Sequence, residues 1–289
     1  MTAPETAGTG LRTAHLASRP GARPTVGEII SVLILLLIVL AAVAPRLLAP
    51  GDPLGISPAD AFQAPSWQHP FGTDESGRDV YTRVVHGAGE SLLIGLAATA
   101  IGLGLALVIG ILGAVAGRAV DFATTRINEV LFALPGLLLA LVFIAIVGPG
   151  VATTTVAVGL STAPGYARII RTQIRAVRGS AYIEAAVVLG HSSPRILGRH
   201  ILPNALAPVF VLATLGVGQA IVWASSLSFL GLGAVPPAPE WGAMLAAGRP
   251  YIELAWWMTV CPGLAIVATA AASTALGRSI QARTRQGDG

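Results

Sequence analysis

The sequence predicts an all-α integral membrane protein with six transmembrane helices and a cytoplasmic helix-turn-helix between spans 4 and 5. Three observations predict it. Of 289 residues, 54% are hydrophobic and only 11% charged, against roughly 25% charged in an ordinary soluble domain. Uncharged runs at 91–117 and 130–167 exceed the roughly 20 residues that a membrane-crossing helix needs. The charges sit in the gaps between such runs, and all 18 cationic residues are arginine, with no lysine. A net charge of +4 laid out this way reads as membrane topology and not as nucleic-acid binding.

Residues 1–28 hold Arg12, Arg19 and Arg23 among Gly, Pro, Thr and Ser; too polar to bury a core, they read as a flexible cytoplasmic tail. The first span, 29–48, carries eleven Ile, Leu or Val residues between Ile29 and Leu40, together about −3 to −7 kcal/mol on the insertion scale. Ala42-Val43-Ala44 resembles a signal-cleavage site, but Pro45 directly after it and the long leading tail favour an uncleaved helix. A Pro-rich outer loop, 49–90, follows. Val80, Tyr81, Val84 and Val85 share one helical face there, which predicts a short helix resting at the membrane surface, either as a cushion or as a dock for a soluble partner. Asp74, Arg78 and Asp79, with Glu240 and Trp241 from the later outer loop, are the docking candidates.

The second span is 91–117. Ala98, Gly102, Ala106, Gly110 and Ala114 recur at every fourth position in it, a stripe for close helix packing. Gly148-Pro149-Gly150 divides the next apolar run into a third span, 130–147, and a short fourth, 151–167. The fifth, 205–232, contains Gln219, Ser225 and Ser226, which either bond neighbouring helices or line a wet pathway. The sixth is 254–277, with Trp256 and Trp257 at its interfacial end. The membrane domain thus covers 29–278 and a polar tail 279–289. The lone Cys261 forms no intrachain disulfide.

Between spans 4 and 5 the stretch 178–204 is polar and arginine-bearing. Glu184-Ala185-Ala186 followed by Gly190 predicts a short helix and its stop. Ser193 is placed to cap a second helix, with Pro194 at its first position and Pro203 ending it. Fourteen of the 18 arginines lie in the tails, the 118–126 loop and the 166–203 loop, so the positive-inside rule puts these, and both termini, in the cytoplasm.

Several chemistries are excluded. A P-loop requires a lysine that the chain lacks. The five histidines are scattered without zinc-ligand spacing, so no metal site is expected, and there is neither a Gly-x-Ser-x-Gly elbow nor a carboxylate pair within a span. No catalytic residue and no cofactor of its own is expected. Transport remains. Ion-coupled carriers commonly place ionisable groups inside their spans, and here every Asp and Glu lies in a loop or near a span end.

At 182–204 a family resemblance enters. Glu184-Ala185-Ala186, then Gly190, then His200-Ile201-Leu202-Pro203 resembles the EAA loop of ABC importer permeases, and the ending Arg199–Asn204 is similar to the peptide and nickel branch. Phe71-Gly72-Thr73-Asp74 with Gly77-Arg78-Asp79-Val80, and Ser226–Gly233 running into Pro236-Pro237 and Glu240-Trp241-Gly242, are similar to the second permease subunit of dipeptide and oligopeptide systems. One departure is Gly89, where such subunits commonly carry a basic residue. The resemblance implies a peptide importer, or a nickel importer as the nearer alternative. It also implies Glu184, Ala185, Ala186, Gly190, His200, Leu202, Pro203 and Asn204 as the loop that couples to an ATPase. The implied partners are a homologous second permease, two ABC ATPase subunits that bind the ATP and Mg, an external substrate-binding protein and the lipid bilayer. The rival readings are an ion-gradient-driven carrier acting alone and a non-transporting membrane anchor.

Overall fold

The computed structural model describes residues 25–287, without the side chains of 205–208 and 284–287. The first helix, α1 (Val26–Val43), opens on a reciprocal cap: the Glu28 N–H donates to Thr25 Oγ1 at 3.3 Å, and the Thr25 N–H donates to Glu28 Oε2 at 3.2 Å. Proline ring atoms push the preceding residue out of the helical region, and Ala44, before Pro45, sits at φ −134°. The chain restarts as α2 (Pro45–Leu48). The span expected over 29–48 is therefore broken near its C-terminal end. Of the tail expected over 1–28, Thr25 to Glu28 form the capped start of α1; the rest lies outside the described residues.

After the outer loop, Asp79 caps α3 (Val80–Val115), accepting the Thr82 N–H at 2.7 Å. At 1.5 Å per residue this 36-residue helix is about 54 Å long, well beyond the ~30 Å hydrocarbon thickness. Its first turns replace the separate surface helix expected around Val80–Val85: Val80, Val84 and Val85 are buried against Trp241, Met244 and Trp257. A burial partner other than lipid was available, and the sequence face alone did not show it.

The expected third span, 130–147, is instead two helices. α4 (Arg118–Ala133) and α5 (Gly136–Val147) meet at 94° across Leu134-Pro135. At 12 residues, α5 is only about 18 Å long. α6 (Val151–Arg178) runs 11 residues past the expected end of span 4, through Pro164 and four arginines, and packs along α3. The 178–204 stretch holds α7 (Ala181–Val188) and α8 (Ser193–Ile196), with Ser192 and not Ser193 at the N-cap position of the latter and no side-chain cap bond made there. Pro203 does not end it. A π-helical turn over 197–201 carries the chain straight into α9 (Leu202–Phe229). Pro203 lacks an N–H and its ring crowds the carbonyl four residues back, and the wider turn, with the Leu202 N–H reaching Leu197 O, makes room for it. α10 (Trp241–Gly248) and α11 (Trp257–Gly287) complete the chain; the polar tail expected from 279 is helical as far as Gly287.

By length and composition, four helices among the described residues can cross a membrane, α1, α3, α9 and α11, and the bent α4–α5 pair makes a fifth if counted as one. α6 misses that criterion because Thr, Ser, Gly and Arg replace much of the aliphatic content. These polar and small residues face protein: Thr154, Thr155, Gly159, Ser161 and Thr162 are buried. The stripe on α3 is where α6 seats. A side chain on Gly102 would reach within 2.5 Å of Thr162 Oγ1, and one on Gly110 within 2.9 Å of Ile170.

Three apolar clusters hold the helices. One joins α1, α3, α10 and α11 around Trp241 and Trp257. A middle one joins α3, α5, α6 and α9 around Ala98, Ile144, Val158 and Leu227. The third joins Leu103 and Ala106 of α3 to Ile170 and Ile174 of α6, Ile183 and Ala186 of α7, Ile196 of α8 and Ile201. Far from the Trp241–Trp257 cluster, Glu28 accepts the Ser279 hydroxyl and pairs with Arg283, tying the start of α1 to the last turns of α11.

Candidate functional site

The stretch 178–204 presents two faces. Ile183, Ala186, Ile196 and Ile201 point inward and belong to the same cluster as the ends of α3 and α6. Ala186, expected to lie at a docking surface, is one of these buried residues, while Glu184 and Ala185 are exposed beside it. The outward face is more apolar than its alanines suggested: Val187 is 59%, Val188 86% and Leu189 75% exposed. Gly190 stands at φ +77° with open space around it, a backbone conformation that glycine adopts without steric cost.

His200, Leu202, Pro203 and Asn204 sit at the π-turn. The Tyr182 hydroxyl donates to His200 O at 3.1 Å and accepts from Asn204 Nδ2 at 3.0 Å, and Asn204 Nδ2 also reaches His200 O at 2.7 Å. The His191 and His200 rings stack with centroids 5.9 Å apart. These contacts lock α7 to the start of α9. Leu202 is half-buried and Pro203 exposed.

Next to this hook, Asp121 of α4 clamps α6: one carboxylate oxygen meets Arg171 and the other takes Arg175 at 2.7 Å. Arg178 donates to Ala114 O at 2.7 Å, where the carbonyl end of α3 favours a cation. Sequence reading missed Asp121; its one signal is a lone carboxylate in an arginine-rich region.

Gln219 lines a cavity of about 510 Å³ between the α4–α5 bend, α6 and α9, together with Ser161, Thr162, Tyr166, Arg168 and Trp223. Ser225 and Ser226 lie elsewhere, beside a separate hollow with Phe229, Leu245 and Ile266. The Ser226 hydroxyl donates to Val222 O at 2.7 Å, while the buried Ser225 Oγ has no protein partner. The three pathway candidates therefore do not share one cavity.

The outer candidates are assembled into one cap, mostly facing inward. Asp74 Oδ1 accepts the N–H groups of Ser76 and Arg78 at 2.8 and 2.9 Å, and Oδ2 lies 2.8 Å from Arg78 Nε and 3.6 Å from Arg83 Nε. Arg83 also donates to Pro53 O and Pro237 O. Asp79 takes His69 Nδ1 at 2.9 Å. Glu240, 1% exposed, caps α10 through the N–H groups of Gly242 and Ala243, both at 2.8 Å. Trp241 Nε1 donates to Val84 O and Trp257 Nε1 to Thr73 O, each at 2.9 Å. Asp74, Arg78, Glu240 and Trp241 are thus occupied in holding the cap together, with Asp79 the most accessible of the five.

The chain is 38% identical over 239 residues, 83% of its length and 79% of the relative's, to the dipeptide transport system permease protein DppC of Alkalihalophilus pseudofirmus. It is 38% identical over 261 residues to the di/tripeptide transport system permease protein DppC of Pseudomonas aeruginosa, covering 88% of this chain and 86% of that one. A probable D,D-dipeptide transport system permease protein, DdpC, of Escherichia coli is 38% identical over 251 residues, 87% and 84% of the two chains. Among solved structures, an inward-facing form of the MetNI methionine ABC transporter matches with a TM-score of 0.55 at 19% identity, over 70% of this chain and 96% of that one; at that identity the likeness is one of fold. Residues 102–286, which hold α6 to α9, the hook and the Gln219 cavity, match a single family profile, and the chain belongs to the family of binding-protein-dependent transport system inner membrane components.

Proposed function

We propose that this chain is one of two homologous permease subunits of an ATP-driven importer of dipeptides or oligopeptides. One of two ATPase subunits docks on its cytoplasmic hook and an external binding protein delivers the substrate. The peptide assignment rests on dipeptide and di/tripeptide transport permeases being relatives at 38% identity. Six spans follow if α4–α5 serves as the third and α6 as the fourth, the latter with its Thr and Ser groups turned to protein and so excused from a wholly apolar surface. Both termini are then cytoplasmic, as the arginine distribution implies. The chain is non-catalytic; ATP and Mg bind the partner ATPases.

The observation that carries the mechanism is the cluster joining α7 and α8 to α3 and α6. A push on the exposed Val187–Leu189 face passes through Ile183, Ala186 and Ile196 directly into two spanning helices. Shifting an inward–outward equilibrium from 1:99 to 99:1 takes about 5.5 kcal/mol of differential interaction, and a well-packed apolar junction, nearly incompressible, transmits such a bias without dissipating it in local motion. Glu184, exposed beside that face, offers a charge to a basic group of the ATPase.

The test is the assembled complex carrying Glu184→Arg or Gly190→Leu. Leucine at φ +77° is strained by about 1–2 kcal/mol and redirects the turn. Both variants are expected to insert normally yet lose substrate-stimulated ATP hydrolysis. Unimpaired stimulation and uptake in both would refute the assignment.

A further inference from the structure

Arg168 is the one charged residue lining the 510 Å³ cavity, and with Phe132 it also lines a second hollow of about 370 Å³ between α3, α4 and α6. Its guanidinium carbon lies 5.8 Å from the Phe132 ring centroid. A cation on an aromatic face is held in place without being neutralised. Its neighbours Arg171 and Arg175 share Asp121, and Glu129 is taken by Arg126 at 2.7 Å; among the described residues no carboxylate lies within ion-pair reach of Arg168. The rest of the cavity is neutral and sorted by polarity. Ser161 and Thr162 give their hydroxyl protons to Val158 O and Gly159 O at 2.9 and 3.0 Å, which leaves their oxygens as acceptors. The exposed Gln219 amide can both donate and accept.

We infer that Arg168 binds the free carboxylate of the substrate as it passes the junction of the two cavities. This rests on the importer reading and deepens it. A guanidinium presents two parallel donors that match a carboxylate. The acceptor oxygens of Ser161 and Thr162 suit substrate N–H groups, and the walls of Tyr166 and Trp223 accept varied side chains. A volume of about 510 Å³ falls in the range of small-molecule sites. From Val151 to Arg168 is 17 residues of helix, about 25 Å, so the contact falls in the inner half of the membrane if α6 enters from outside at Val151.

The test compares uptake of dialanine and dialanine amide by the reconstituted complex, each at saturating binding protein loaded with that peptide. Wild type is expected to carry the free acid about tenfold faster, in keeping with a charged hydrogen bond of roughly 1.4 kcal/mol or more. Arg168→Gln should bring the ratio to near one, and Arg168→Lys should keep most of it, which also reports that the position tolerates substitution. Equal loss of both peptides in Arg168→Gln, or a wild-type ratio retained in it, overturns the inference. So does an effect present in vesicles with anionic lipid and absent in neutral phosphatidylcholine, which would assign the cation to a headgroup. A wild-type complex that transports neither peptide refutes the importer reading itself, and the inference with it.

Discussion

Asp74 shows how much one side chain can hold. Its oxygens serve two backbone N–H groups and two arginines, and its partner Arg83 reaches Pro237, 154 positions along the chain. Removing Asp74 leaves Arg83 without its carboxylate and Arg78 with Glu75 alone, at a cost of about 3–5 kcal/mol. Asp74→Ala is expected to lower the thermal midpoint of the purified chain in detergent by several degrees, with Asp74→Asn intermediate because its amide oxygen still accepts the two N–H groups. Wild-type stability in both, with loss of binding-protein stimulation only, would return Asp74 to a docking role. The sequence marks Asp74 and Arg78 as polar residues in a loop. It does not show that they are buried, because the residues gathered around them include Pro236, Pro237, Met244 and Met258, far away in sequence. The same limit applies to Arg168, whose solitary state is a property of its neighbours.

At the scale of elements, the membrane character and the helical class were legible because uncharged length is nearly sufficient evidence for a span. What failed was the treatment of each expected span as one straight helix. Leu134-Pro135-Gly136 turns the chain through 94° inside such a run, and α6 continues through arginines because they find Asp121 and Ala114 O at the surface. The α3 stripe did identify a packing face, and its partner supplies a sharp test. A methyl group on Gly159 would lie 2.7 Å from Ile101 Cγ2 and 2.9 Å from Ala98 O, while one on Gly104 meets nothing within 4 Å. Overpacking costs roughly 1–3 kcal/mol, more than the ~1 kcal/mol of helix propensity that alanine restores. Gly159→Ala should therefore destabilise the chain and Gly104→Ala should leave it unchanged or slightly stabilised, as read by thermal unfolding in detergent. The reverse order would mean that α3 and α6 do not pack as described.

The molecule as a whole is a stack: a polar cap braced by tryptophans, a helical middle, and a hook fused to the inner ends of α3 and α6. Topology is the prediction at this scale. With Cys261 replaced by serine, a cysteine in place of the fully exposed Trp67 should react with a membrane-impermeant maleimide in cells whose outer face is accessible. One in place of Val188 should react only after the membrane is opened. Equal labelling of both from outside would invert the arginine argument and the proposed docking together.

The link between Glu28 and the Ser279–Arg283 turn closes 255 positions of sequence. At the ~5–20 residues per second of chain synthesis, Glu28 waits roughly 13 to 50 s beside the first helix before its partners leave the ribosome. Throughout that interval the carboxylate has only its own helix cap, the Thr25 N–H, to hold, and a chain cut short before Ser279 never gains the second contact. Among the described helices, the earliest to be made thus receives its last side-chain partners only when the last one emerges.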